Sequence, residues 1–129
     1  MAACDNPAGP SFTVPSLAGE WAGTISHSLA GDGALTLKVS QMGPGLFGNW
    51  ASVYPDPAFN QSGSFSGTIT GSPFILFLRP AVPIVCSPGV TLTGTLAVSA
   101  TVSGDRISGP FTILTCTGAI GGTIEVNRR

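Results

Sequence analysis

Charge is scarce in this chain. Only 9% of its 129 residues are Asp, Glu, Lys or Arg, against roughly 25% in an average soluble domain. Five Lys and Arg face six Asp and Glu, so the net charge is -1 and no basic surface is available for the phosphates of a nucleic acid. We therefore expect no nucleic-acid partner.

Long regular patterns are also missing. The chain has no heptads of Leu, Ala, Glu and Lys, which argues against a coiled coil or helix bundle. It has no run of about 18 uncharged apolar residues, so the sequence predicts no transmembrane helix. Apolar residues nevertheless make up 43% of the chain. This excludes a charge-driven disordered chain and suffices for the core of one domain.

A five-residue unit recurs along the chain: an apolar residue, any residue, Gly, any residue and a second apolar residue. Its six copies begin at Leu17, Leu46, Phe65, Leu92, Ile107 and Ile120. Because side chains alternate along a strand, the apolar residues and the central Gly share one face. Glycine inside a strand costs stability, so its repetition on the apolar face indicates sharp bending or close approach of two backbones.

Two further segments, 34–41 and 73–79, bring the number of predicted strands to eight, separated by turns rich in Gly, Pro and Asp. Eight short antiparallel strands predict an all-β fold, an up-and-down barrel over residues 18–129, whose lumen is filled by side chains or holds one small ligand. A β-sandwich is the alternative. It explains the strand count equally well but gives less reason for inward glycines.

The predicted register points one row of apolar side chains into the barrel. This row comprises Trp21, Ile25, Leu37, Val39, Trp50, Phe65, Ile69, Leu96 and Phe111. These side chains would line an apolar pocket or, as the alternative, fill a packed core.

Three cysteines bear on the compartment. Cys86 and Cys116 are predicted to form a disulfide, which indicates an oxidising environment and closes a loop of about 30 residues, stabilising the fold by roughly 3–4 kcal/mol. Two separate buried thiols are the alternative. No Cys-x-x-Cys occurs and the single histidine, His27, is far away in sequence, so we expect no metal site and no cofactor.

The N-terminus resembles the end of a bacterial lipobox. In Met1-Ala2-Ala3-Cys4, small residues stand directly before a cysteine, and the resemblance implies that Cys4 carries lipid. Residues 5–17 contain three prolines and are typical of an extended tether, so residues 1–17 are assigned to a tether. A free thiol in a flexible tail is the alternative. The expected location is periplasmic or on the cell surface, anchored through lipid.

Segment 73–85 breaks the alternation seen in the other predicted strands. Its apolar residues occupy both faces and include Phe74, Ile75, Leu76, Phe77 and Leu78. Because a barrel strand has one inward face, the second row is expected to contact a partner, a membrane surface or the chain's own tether through Phe12 and Val14. We assign these five residues to a partner-docking surface.

Gly19-Glu20-Trp21 at the first strand and Arg128-Arg129 after the last resemble the lipocalin and avidin group of barrels. The resemblance implies that Trp21 plugs one end of the barrel and that an arginine of the final strand lies over its indole. Residues 33–36 also resemble an avidin. Avidins line their pocket with several tryptophans, whereas this chain has two, so biotin binding is not implied.

Residues for catalysis are few. His27 stands at the end of a predicted strand, and no Gly-x-Ser-x-Gly elbow accompanies it. The six carboxylates fall in turns, on polar strand faces or in the tether. We therefore expect a non-catalytic protein that docks as an extrinsic subunit on a membrane-associated protein. The alternative is a carrier of a small apolar ligand inside the barrel.

Overall fold

Ten β-strands and one 3₁₀ turn (Pro57–Phe59) form the regular structure of residues 14–129, the part of the chain that this computed structural model describes. Cys4 and Phe12 lie outside the described residues. The strands are β1 (Gly19–His27), β2 (Gly31–Met42), β3 (Gly45–Val53), β4 (Gln61–Thr68), β5 (Phe74–Pro80), β6 (Ile84–Ser87), β7 (Val90–Leu92), β8 (Leu96–Ser103), β9 (Arg106–Thr115) and β10 (Gly118–Arg128).

Eight of these strands close into one antiparallel barrel, in the order β1-β10-β9-β8-β5-β4-β3-β2. Each barrel strand pairs with the next one along the chain, and β6 and β7 form a separate hairpin inserted between β5 and β8. The barrel closes through β1 and β10, where Trp21 pairs with Arg128 and Ile25 with Ile124. The predicted eight-stranded up-and-down barrel is confirmed, and the sandwich alternative is excluded.

The interior of the barrel is a packed apolar core. Strands such as β5 and β8 alternate buried and more exposed residues, as the period of a β-strand requires. All nine residues of the predicted inward row are buried: Trp21, Ile25, Leu37, Val39, Trp50, Phe65, Ile69, Leu96 and Phe111. They belong to a single cluster of buried side chains, so the middle of the barrel is filled by its own residues.

One recurring unit bridges two strands and has its central glycine outside both. The copy at 92–96 spans the end of β7 and the start of β8, and residues 93–95 are outside both strands. Its central Gly94 has a φ of +71°, a left-handed conformation that favours glycine. The strand predicted at 92–96 is therefore wrong, because these residues connect the inserted β6–β7 hairpin to β8.

Several strand glycines lie where two neighbouring backbones come too close for a side chain. A Cβ on Gly109 would stand 1.9 Å from the Ser99 carbonyl oxygen, and a Cβ on Gly23 would stand 1.9 Å from that of Glu125. Such contacts cannot be relieved by rotating a side chain because the opposing atom is backbone. The glycines permit the strong coiling that a small closed barrel needs.

Trp21 closes one end of the barrel. Its indole is fully buried and donates a hydrogen bond from Nε1 to the Leu17 carbonyl oxygen at 2.9 Å. The Arg128 guanidinium carbon lies 4.5 Å from the centre of the Trp21 ring, within cation–π range. Arg128 also donates to the carbonyl oxygens of Ser16 and Ala18 at 2.8 and 3.1 Å. It therefore holds residues 16–18 against Trp21.

The segment assigned to the tether is therefore partly packed. Leu17 is 1% exposed, and its N–H donates to Gln41 Oε1 at 2.7 Å, while Gln41 Nε2 donates to the Pro15 carbonyl oxygen at 2.9 Å. Residues 15–17 cover the plugged end, so the packed domain extends beyond the predicted boundary at residue 18.

Strand β5 uses its two apolar rows differently. Phe74, Leu76 and Leu78 are at most 3% exposed and face the core, which corrects their assignment to the docking surface. Ile75 and Phe77 are 44% and 41% exposed on the outside. The alternation of side chains along β5 requires this split.

Gly109→Ala is expected to destabilise the barrel because the new Cβ meets the Ser99 carbonyl oxygen. Overpacking of this kind costs about 2–3 kcal/mol in free energy of unfolding. Gly121→Ala in β10 is the matched control, because the nearest atom to its added Cβ is 3.4 Å away, an ordinary contact. Urea unfolding of both variants measures the difference, and equal midpoints would contradict the close-approach account.

Candidate binding cavity at the open end

A cavity of about 780 Å³ lies at the end of the barrel opposite Trp21. Its walls come from the β1–β2 turn, the β3–β4 loop, the segment joining β5 to β6 and the β9–β10 turn. Binding cavities of this size commonly hold one small organic molecule, and the mouths of β-barrels are among their preferred positions.

The cavity is lined largely by apolar groups, and no Asp, Glu, Lys or Arg of residues 14–129 belongs to its wall. Ile113 is buried within the wall, while Phe59 and Val82 are exposed at the rim. The polar lining residues are His27, Ser52, Tyr54, Asn60, Gln61, Ser62, Thr115 and Thr117. An apolar surface with a few polar groups suits a ligand that is mainly apolar and carries a small polar function.

Two polar side chains reach the cavity from buried positions. Ser52 is 1% exposed and Tyr54 6%. Burial raises the pKa of Tyr54, and a side-chain hydrogen bond with Ser52 has the smaller, opposite effect. Ser52 Oγ is enclosed by protein atoms, and its contact with Tyr54 lies outside ideal hydrogen-bond geometry.

His27 shapes the wall beside Tyr54. Its Nδ1 accepts hydrogen bonds from the backbone N–H groups of Leu29 and Ala30 at 3.1 and 3.2 Å, so the neutral ring carries its proton on Nε2. Burial lowers the pKa of His27. The ring packs edge-on against Tyr54, with centroids 6.1 Å apart. His27 is therefore an uncharged part of the wall that also holds the β1–β2 turn.

A disulfide fastens one side of the cavity. Cys86 in β6 and Cys116 in the β9–β10 turn are joined, with Cα atoms 5.4 Å apart, which confirms the predicted pairing. Ile84 and Cys116 both line the cavity. The bond therefore ties the inserted β6–β7 hairpin to the barrel rim, and the wall formed by residues 80–84 is anchored at both ends.

The predicted inward row does not form this cavity. None of its nine members lines the cavity wall, since they fill the core beneath it. The lining comes from strand ends and loops, which sequence periodicity does not address. One signal was present: Tyr54-Pro55-Asp56-Pro57 marks a turn carrying an aromatic residue, and Tyr54 is one of the cavity's buried residues.

A second, shallower feature lies on the outside of the barrel. Ser66, Thr68, Ile75, Phe77 and Arg79 line a depression across β4 and β5. Cross-strand pairing places Phe47 and Phe77 on either side of Ser66, and Phe47 is 44% exposed. Two strand spacings, about 10 Å, therefore separate Phe47 and Phe77 on one outer face. We call Phe47, Ile75 and Phe77 the outer patch.

Three carboxylates lie in ion pairs at the surface. Glu20, Asp105 and Glu125 are each more than half exposed and face Arg129, Arg128 and Arg106, respectively. Asp56 caps the 3₁₀ turn by accepting the Ala58 N–H at 3.0 Å. Within residues 14–129, no group of three His, Cys, Asp or Glu side chains is arranged to hold a metal ion. In the same range, no helix has the length and apolarity to span a bilayer.

Comparison with known proteins supplies no functional assignment. No protein-family model matches the chain, and no curated protein sequence matches it significantly. The functional proposal therefore depends on the chemistry of the open end and of the outer patch.

His27 is expected to make the fold less stable as the pH falls. Because burial lowers its folded-state pKa below the ordinary value of 6.5, the unfolded chain binds the proton more tightly. Stability is then complete above pH 6.5 and decreases as the pH falls from there towards the folded pKa. Urea unfolding between pH 7.5 and 5 measures this decrease.

His27→Asn provides the control, because asparagine keeps a side-chain acceptor near the β1–β2 turn but does not titrate. Its unfolding free energy should change less than that of the wild type over the same range. A parallel loss of stability in both proteins would mean that another group is responsible.

Proposed function

We propose that this protein binds a small, largely apolar ligand in the open-end cavity and acts as its carrier. The observation that carries the proposal is an apolar cavity of about 780 Å³ next to a packed core, with no charged side chain among the described residues that line it. Barrels of eight strands commonly have interiors that either fill completely or hold one small ligand. In this barrel the middle is filled by side chains, and the end opposite Trp21 is open.

The plugged end supports a calycin-like assignment. The Gly19-Glu20-Trp21 sequence, with Arg128 over the indole, resembles the arrangement in lipocalins and avidins. We propose a distant relation to that group on this basis. It agrees with ligand entry from the end opposite Trp21.

We also propose that the protein is exported. The Cys86–Cys116 disulfide supports this location, because such bonds persist in oxidising compartments. The lipobox-like sequence at Cys4 supports a lipid anchor and placement in the periplasm or on the cell surface.

Binding of N-phenyl-1-naphthylamine, an uncharged fluorescent probe, tests the carrier function. We expect saturable binding with enhanced emission, and Ala58→Trp, at the cavity wall, should weaken it by about tenfold or more by occupying the space. Ala119→Trp is the control, because that exposed β10 residue is not part of the wall. Absence of saturable binding, or equal affinity in both variants, would count against the proposal.

A second candidate function is docking on a membrane-associated protein through the outer patch. Its support is the exposure of Ile75, Phe77 and Phe47, each between 41% and 44%. Apolar side chains grouped on a surface commonly mark interaction sites. The protein would then be an extrinsic subunit, with its lipid anchor as a second attachment.

Membrane fractionation in the native host separates docking from lipid anchoring. Cys4→Ser removes the lipidation site, and docking predicts that this variant still sediments with membranes. Adding Phe77→Asp should release it, because a carboxylate in the patch would lose its hydration on contact. Adding Thr36→Asp, on the exposed face of β2, should not. Release by Cys4→Ser alone would argue for lipid as the sole attachment.

A further inference from the structure

His27 lies on the inward face of β1, at the point where that strand reaches the proposed binding cavity. It continues the row of Trp21 and Ile25 at a spacing of two residues. Those two side chains are enclosed in the core, whereas His27 is only half-buried and belongs to the cavity wall. A polar ring is therefore presented to a molecule that occupies the open end.

The orientation of the His27 ring is fixed by the protein. Its Nδ1 accepts hydrogen bonds from the backbone N–H groups of Leu29 and Ala30 at 3.1 and 3.2 Å. The ring centroid lies 6.1 Å from that of Tyr54 and 6.0 Å from that of Phe111. Because Nδ1 acts as an acceptor, the proton of the neutral ring is on Nε2. The Nε2–H group is thus a preorganised donor before any ligand binds.

This donor is not used by the protein. Within residues 14–129, the hydrogen bonds of the ring are the two that Nδ1 accepts, and Nε2 donates to no protein oxygen. Nε2 is also not among the enclosed side-chain atoms that lack a partner, so part of its surface is accessible. It differs in this respect from Ser52 Oγ, which protein atoms enclose. A ligand oxygen can therefore replace water at Nε2–H.

The other polar groups of the wall are less suited to this role. The Tyr54 hydroxyl is paired with Ser52, and the Thr115 hydroxyl donates to a backbone carbonyl oxygen at 2.7 Å. Gln61 is half-buried, but its amide both donates and accepts on a flexible side chain, so it does not favour one kind of ligand atom. Three more wall residues are exposed to solvent: Asn60, Ser62 and Thr117.

We propose that His27 Nε2–H donates a hydrogen bond to a carbonyl oxygen of the ligand, so that the cavity selects a largely apolar, uncharged carbonyl compound. This inference deepens the proposed carrier function and rests on it. A ligand without an acceptor removes water from the donor and leaves it unpaired, which disfavours binding. A carboxylate loses its hydration without gaining a counter-charge, since no Lys or Arg of the described residues lines the wall.

NMR of protein labelled with ¹⁵N-histidine tests the contact directly, because His27 is the only histidine of the chain. At pH 8 the ring is neutral, since burial lowers the pKa of His27. Butyrophenone and butylbenzene have the same carbon skeleton and differ in one carbonyl group. We expect saturating butyrophenone to shift the Nε2 resonance well beyond the shift that butylbenzene causes. Equal shifts would overturn the proposed hydrogen bond.

His27→Asn tests the energetic role of the donor. The variant lacks Nε2–H but keeps a side-chain acceptor near the β1–β2 turn. In competition against N-phenyl-1-naphthylamine, we expect its affinity for butyrophenone to fall about fivefold more than its affinity for butylbenzene. Equal losses for both compounds would mean that His27 only shapes the wall. A larger selective loss in Gln61→Leu than in His27→Asn would assign the anchor to Gln61. Either result would overturn the role of His27 in specificity.

4-Phenylbutanoate tests the selection for uncharged ligands, because it places a carboxylate on the same carbon skeleton. We expect it to bind the unaltered protein at least about tenfold more weakly than butyrophenone at pH 8. Equal or tighter binding of 4-phenylbutanoate would overturn this selection while leaving the carrier function standing. Failure of the fluorescent probe and of all three compounds to bind would instead remove the carrier function.

Discussion

The pairing of β1 with β10 is the constraint on which the other features of this protein depend. Once these strands meet, each barrel strand has one inward face and one outward face, and no edge remains open in the barrel. Arg128 supports this closure from β10 by contacting Trp21 and the carbonyl oxygens of Ser16 and Ala18. One end is thereby sealed, and any space for a ligand is left at the other.

The high glycine content is a consequence of the same geometry. The strands coil tightly, and Gly23 and Gly109 lie where neighbouring carbonyl oxygens leave no room for a Cβ. The small number of charged residues means that the open end can be built without any of them. An uncharged cavity wall cannot compensate an ionised ligand, which agrees with the proposal of a largely apolar ligand.

The fold could be predicted from the sequence because its signals are local and repeated. In β5 both faces are apolar, and the two-residue period of a strand indicated one inward and one outward row, of which Phe74, Leu76 and Leu78 are core. The unit at 92–96 was a wrong prediction, because Gly94 takes a left-handed conformation between two strands and a matching pattern does not reveal φ. The cavity was not predicted, since Ser52 and Tyr54 meet His27 only when strand ends distant in sequence are brought together.

The amino-acid sequence by itself determined the all-β class, the closed barrel and the pairing of Cys86 with Cys116, because periodicity, glycine spacing and cysteine count act over short distances or leave few alternatives. Tertiary structure alone decided that the nine inward residues pack as a core while the open end stays hollow. It also enclosed the Ser52 hydroxyl beside Tyr54. Those properties depend on how loops from four parts of the chain are arranged in space. Local periodicity in the sequence does not specify that arrangement.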